Sequence, residues 1–159
     1  MVVCAAVVGR KLHWTRSGDD FLLKDGDKLL CTMSMRSMQI DCVSEGCCLS
    51  IRRKGLLRPR LEMSDDDRSI ASIANLEDFE PEVRFNDGTV YTLRYLNEAR
   101  TALAFFDEKS MNVMELTDAS TWSEPRSELV ANRDLKGRLA TTLMTVGHYM
   151  LMQQRGVPL

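Results

Sequence analysis

Arg52, Arg53, Lys54, Arg58 and Arg60 place five cations within nine positions, with no acid among them. Guanidinium and ammonium groups at this density make a phosphate-sized basic patch. Each donates charge-assisted hydrogen bonds, and together they raise the local positive potential. Two adjacent strands and their turn carry them, so several side chains share one surface. The chemistry they suit is recognition of an anionic headgroup or another phosphorylated partner. The same residues also suit a solvated strand edge, where Lys and Arg deter edge-to-edge pairing. No aromatic residues are interleaved with them for base stacking, and a net charge of −2 speaks against a chain that blankets nucleic acid.

Other residue types that do chemistry are present without the spacing it needs. Asp65-Asp66-Asp67 lacks the alternating acids, the Gly and the distal Glu of a calcium loop, and reads as a hairpin turn. Cys47 and Cys48 are vicinal, so on a strand they point to opposite faces and do not share a tetrahedral metal with Cys42. Nucleophilic catalysis needs a base beside the nucleophile, and the chain has two histidines, His13 and His148. His13 falls on the first long strand and reads as a surface residue. His148 falls within an apolar helix, where a neutral imidazole bonded to a backbone group is expected. No Gly-x-Ser-x-Gly elbow, Walker loop or Gly-x-Gly-x-x-Gly turn occurs. The reading is a non-enzymatic protein with no catalytic residues, no metal and no cofactor.

The remaining composition is that of an ordinary globular chain. At 159 residues and 44% hydrophobic content, a single domain spanning 1–159 is the expectation. The apolar opening from Met1 to Val8 lacks a basic flank and is too short for a signal sequence. Val2 is not the glycine that myristoylation requires, and Val157-Pro158-Leu159 is no prenylation box. Five cysteines, an odd number, fit unpaired thiols in a reducing compartment. The expected location is cytoplasmic, with peripheral membrane contact if the basic patch meets lipid.

The elements that position these residues repeat at short intervals. From Leu12 to Val130, turn signals such as Ser17-Gly18-Asp19, Asp25-Gly26-Asp27, Ser44-Glu45-Gly46, Lys54-Gly55 and Asn86-Asp87-Gly88 recur every eight to twelve residues. Between them the period is two. Met38, Ile40 and Cys42 alternate with Gln39 and Asp41, and Tyr91, Leu93 and Tyr95 alternate with Thr92 and Arg94. Leu57, Pro59, Leu61 and Met63 alternate with Arg58, Arg60 and Glu62; because proline donates no ladder bond, that strand is expected at an edge or bulged. The count reaches about twelve strands, near 12–16, 20–24, 28–35, 38–43, 47–53, 57–63, 69–75, 82–86, 89–96, 101–107, 111–116 and 127–131. Residues 1–11 are an N-terminal extension or a first strand, and 117–126 is the longest connection.

The last element is of another kind. Leu139 to Gln154 contains no Asp, Glu, Lys or Arg. Leu139, Ala140, Leu143, Met144, Val146, Gly147, Met150 and Leu151 form one apolar helical face, while Thr141, Thr142, Thr145, His148 and Tyr149 form a polar but uncharged one. At roughly 24 Å the charge-free segment is short for a bilayer core of about 30 Å, so it reads as buried in protein. The spacing predicts a helix over 134–154 with Asp134 as its N-cap. A sheet of about twelve strands with one dry face must close, and a barrel that wide is not filled by its own side chains. The prediction is therefore an all-β protein with one α-helix: a closed barrel of about twelve strands around a buried C-terminal helix.

That plan, with its local wording, resembles the tubby C-terminal-like superfamily, which includes tubby domains, phospholipid scramblases and LURP-one-related proteins. Cys48-Leu49-Ser50-Ile51-Arg52-Arg53-Lys54-Gly55-Leu56 is similar to the "L-[ST]-I-R-R-K-x-L" hairpin of LURP-one-related chains. Ser69-Ile70-Ala71-Ser72-Ile73 and Phe85-Asn86-Asp87-Gly88-Thr89-Val90-Tyr91 resemble the following hairpins. The stretch 128–134 lacks the clustered carboxylates of the scramblase calcium segment, so calcium dependence does not carry over. The resemblance implies a binding module that meets anionic membrane phospholipid or a protein partner, here through Arg52, Arg53, Lys54, Arg58 and Arg60. The alternative is a lipocalin-like or fatty-acid-binding-like barrel carrying a small apolar ligand.

Overall fold

The computed structural model describes residues 5–36, 38–44 and 46–156. The strands are β1 (Ala5–Ala6), β2 (Lys11–Ser17), β3 (Asp20–Asp25), β4 (Lys28–Arg36), β5 (Gln39–Ser44), β6 (Cys47–Lys54) and β7 (Arg60–Asp65). They continue as β8 (Arg68–Ile73), β9 (Glu82–Phe85), β10 (Val90–Tyr95), β11 (Ala102–Phe106), β12 (Asn112–Asp118), β13 (Arg126–Ala131) and β14 (Leu135–Lys136). A single helix among the described residues, α1, spans Gly137–Gln154.

Strands β2 to β13 form a closed antiparallel barrel in which each pairs with its chain neighbours and β13 returns to β2. Alternation sets the register. Leu12 and Trp14, Phe21 and Leu23, Leu49 and Ile51, Leu61 and Met63, and Tyr91 and Leu93 all point inward and are buried. Into this lumen runs α1, whose every residue from Ala140 to Met152 is buried. It packs against β5, β6, β11, β12 and β13, on different sides of the barrel. On its uncharged polar face two hydroxyls are satisfied locally: Thr141 and Thr142 donate to the carbonyls of Gly137 and Arg138 at 3.0 and 2.7 Å, whereas the Thr145 and Tyr149 hydroxyls are buried without a hydrogen-bond partner among the described residues. Against β11 and β12 the helix carries Gly147, at which a Cβ would lie 2.7 Å from a Leu116 methyl and 3.2 Å from the Phe105 ring.

Because each strand reverses its neighbour, the connections alternate between two ends. The β2–β3, β4–β5, β6–β7, β8–β9, β10–β11 and β12–β13 connections gather at the end where α1 finishes. There Gln154 donates to the Tyr95 hydroxyl at 3.3 Å. The other connections meet the start of α1, where Arg138 pairs with Asp65 at 2.8 Å.

Three local expectations are corrected. The helix begins at Gly137, not 134, because Leu135–Lys136 is claimed by pairing with β1. Lys136 occupies the N-cap position without a side-chain cap, and Asp134 instead accepts a hydrogen bond from the Val8 amide at 2.8 Å. The strand expected at 57–63 begins at Arg60, leaving Leu57 exposed and Pro59 outside the ladder, with its carbonyl accepting from Leu76 at 3.0 Å. It lies at no edge, since β7 is paired on both sides; its register shift falls between Met63 and Ser64.

Candidate functional site

The basic residues lie on the β6–β7 hairpin, at the barrel end where α1 finishes. Strand alternation divides them. Arg52 and Lys54 face outward from β6 and Arg60 faces outward from β7, all exposed. Arg53 lies between Arg52 and Lys54 and turns toward the lumen mouth, where its Nη1 donates to Gln153 Oε1 at 3.2 Å. Arg58 sits in the connecting turn. The turn is pinned: Gly55 has φ +88°, and a Cβ there would collide with the Arg58 carbonyl oxygen, so glycine alone closes it without strain. On the neighbouring hairpin the Met38 carbonyl accepts from the Arg53 amide at 2.9 Å.

The register also brings an acid into the patch. Glu62 stands opposite Arg52, next to the Lys54–Arg60 pair. Lys54 Nζ lies 2.7 Å and Arg60 Nε 3.5 Å from its carboxylate. The Lys54 hydrogen bond, with the nearby positive charges, holds the Glu62 carboxyl below its ordinary range. Among the described residues Arg52 and Arg58 have no ion-pair partner. The patch is therefore a gradient: Arg58 and Arg52 unpaired, Lys54 and Arg60 sharing one carboxylate, and Arg53 committed to the helix end. Beside it a groove of about 350 Å³ passes Arg52, Lys54 and Glu62 toward Ser64 and Asp67.

Closure of the barrel bears on the plainer account of these cations. Strand edges expose unpaired amides, and Lys or Arg there prevent stray pairing. Both β6 and β7 are hydrogen-bonded on each side. There is no edge at this hairpin to protect.

Sequence reasoning placed His148 against a backbone group; its Nδ1 instead lies 2.7 Å from Ser127 Oγ. The imidazole stacks on Trp14 at 5.0 Å and meets the Phe21 ring edge-on at 4.4 Å. Burial pushes its pKa down to about 3. A serine beside a histidine has the parts of a nucleophile pair, but both are buried and the base is weak. The pair ties β13 to α1. His13, by contrast, is on the outside, 3.7 Å from Glu128. Asp66 and Asp67 adopt left-handed φ values of 50° and 67° in the β7–β8 turn, as a hairpin requires. Asp65 had no visible role in sequence; it accepts the Cys48 amide at 3.0 Å and holds Arg138. Cys47 is buried and Cys48 exposed, on opposite faces of β6.

A larger cleft, about 670 Å³, lies at the opposite end beside Tyr91, Asp107 and Arg133. Its two cations, Lys109 and Arg133, stand among Asp87, Asp107 and Glu108, and Arg133 is already engaged: it pairs with Asp107 at 2.9 Å and donates to the Tyr91 hydroxyl at 3.3 Å. Among the described residues no helix is long and apolar enough to cross a membrane. Comparison with family models, curated proteins and solved structures finds no match in any of the three.

Proposed function

We propose that the chain is a non-enzymatic binding module that recognises anionic phospholipid headgroups with the outside of its β6–β7 hairpin. The observation that carries this reading is that Arg52 and Arg58 have no ion-pair partner among the described residues, on a hairpin whose strands have no free edge. Unpaired guanidinium groups that guard no edge are available to a phosphate. Near an anionic leaflet each such cation is worth about 1 kcal/mol, and exposed charges are screened over about 8 Å at physiological ionic strength. Binding of this kind is salt-sensitive.

The tubby C-terminal-like resemblance supports the same reading, since it implies a binding module and the barrel around a helix is the plan it describes. The carrier alternative needs room in the lumen. Ala140 to Met152 occupy that space, with His148 against Trp14 on one side and Gly147 against Leu116 on the other. Sedimentation with phosphatidylserine or phosphoinositide vesicles at low salt, comparing wild type with Arg52→Glu/Arg58→Glu, is the test. Wild type is expected in the pellet and the double variant in the supernatant. Equal behaviour of the two proteins contradicts the proposal.

A further inference from the structure

The four most exposed large apolar side chains among the described residues all occupy one end of the barrel. They are Leu56 at 96%, Leu57 at 92%, Phe79 at 86% and Trp122 at 97% exposure. Phe79 is on the β8–β9 connection and Trp122 on the β12–β13 connection, which meet at the same end as the β6–β7 turn. These tips are held out. Thr121 and Glu124 bond to each other on either side of Trp122, and Asn75 and Asp78 do so before Phe79. Gly55 pinches the turn that carries Leu56 and Leu57.

Charge distinguishes the tips. Phe79 is flanked by Glu77, Asp78 and Glu80; Glu80 is paired with Arg94 at 2.6 Å, leaving Glu77 and Asp78 as the loop's acidic charge. Leu56 and Leu57 are flanked by Lys54, Arg58 and Arg60, and the next hairpin adds half-exposed Met38 beside Arg36. One sector of the rim is thus apolar at its apex and cationic just behind it, while the adjoining loop is acidic. A convex apolar apex offers no groove to a peptide. It matches a surface that is anionic at the headgroups and apolar below them.

We infer that the barrel docks on an anionic bilayer leaflet end-on and tilted, with Leu56 and Leu57 entering the acyl boundary and the neighbouring cations at the phosphates. This rests on the headgroup reading above and adds a penetrating contact to it. The tilt follows from the acidic β8–β9 loop, which the same leaflet repels. Trp122, three connections around the six-connection rim from Leu57, is then held away from the bilayer.

The probes are phosphatidylcholine vesicles with and without phosphatidylserine, and the same vesicles with brominated acyl chains. Leu56→Ser/Leu57→Ser removes no buried contact, so its melting temperature is expected to match wild type, while binding to anionic vesicles falls on the order of 10- to 100-fold. Leu56→Trp is expected to show quenching by brominated chains, and native Trp122 little; Trp14, fully buried, contributes equally to both. If wild type binds anionic vesicles at low salt and the double serine variant binds equally, insertion is overturned and headgroup recognition stands. If wild type binds neither vesicle, both fall. Quenching of Trp122 without quenching at position 56 overturns the orientation. A change of oligomeric state in the serine variant, with vesicle binding unchanged, assigns the leucines to a protein contact and overturns the inference.

Discussion

Ser127 Oγ lies 2.7 Å from His148 Nδ1, joining the start of strand β13 to the central helix. Both residues are buried, and the imidazole stands between Trp14 and Phe21. Among the described residues no carboxylate meets the ring to stabilise a positive charge, and burial holds it neutral in the folded protein.

Acid should therefore destabilise the fold through this residue. An unfolded histidine protonates near pH 6.5, whereas the folded one resists to about pH 3. Its folded pKa is depressed, so the unfolded chain binds the extra proton across that window. The contribution is complete above pH 6.5 and declines by about 1.4 kcal/mol per pH unit below it. Chemical denaturation at stepped pH measures the slope. His148→Phe/Ser127→Ala, which removes the titrating ring and its partner together, is expected to flatten it between pH 6.5 and 5. An unchanged slope contradicts the assignment.

Gly147 should tolerate no larger side chain. Its neighbours across the gap, Leu116 and Phe105, are buried on strands tied into the barrel. Gly147→Val is expected to cost about 1–3 kcal/mol in urea unfolding, despite the helix propensity recovered by replacing glycine. Leu116→Ala in the same chain should return part of that loss by vacating the volume, whereas alone it should destabilise. Additive losses in the double variant would show that the two positions do not meet.

Leu143→Asp tests the enclosed helix more severely. Leu143 has no exposed surface, and a carboxylate there is shut off from water. The loss of packing and the buried unpaired charge act together, for a cost of roughly 4 kcal/mol or more. The expected readout is loss of soluble protein at expression. A soluble variant with the wild-type melting temperature contradicts a helix surrounded by barrel.

The barrel was legible in sequence because its inward residues, such as Tyr91 and Leu93 or Leu49 and Ile51, keep a strict period of two between turn signals. The helix was legible because Leu139 to Gln154 carries no charge. What misled was alternation that continues through a turn. Leu57, Pro59 and Leu61 look like one strand face, yet the left-handed Gly55 and its contact with the Arg58 carbonyl turn Leu57 outward. Asp134 had the chemistry of a helix cap, but a two-residue partner at Ala5–Ala6 leaves no pattern of its own, so the short β14 went unseen. The basic cluster was visible as composition. That Glu62 belongs to it and Arg53 does not depends on the β6–β7 register, which fixes what stands opposite what.

That register gives Arg53 and Arg58 separable consequences. Arg53 reaches Gln153 at the end of α1 and sits close enough to Tyr149 to oppose the upward pull of burial on its hydroxyl. Reversing its charge removes a tie between wall and helix. Arg53→Glu is therefore expected to lower stability by about 1 kcal/mol. Arg58 is exposed in the turn, and Arg58→Glu should stay within about 0.5 kcal/mol of wild type. Vesicle binding should rank them the other way. Arg58→Glu weakens sedimentation with phosphatidylserine vesicles more than Arg53→Glu does, and the difference narrows as salt rises because an exposed charge is screened. Melting temperatures and pelleted fractions of the two proteins, measured side by side, check both halves. If Arg53→Glu proves the weaker binder at unchanged stability, the side chain faces the ligand and its inward placement is wrong.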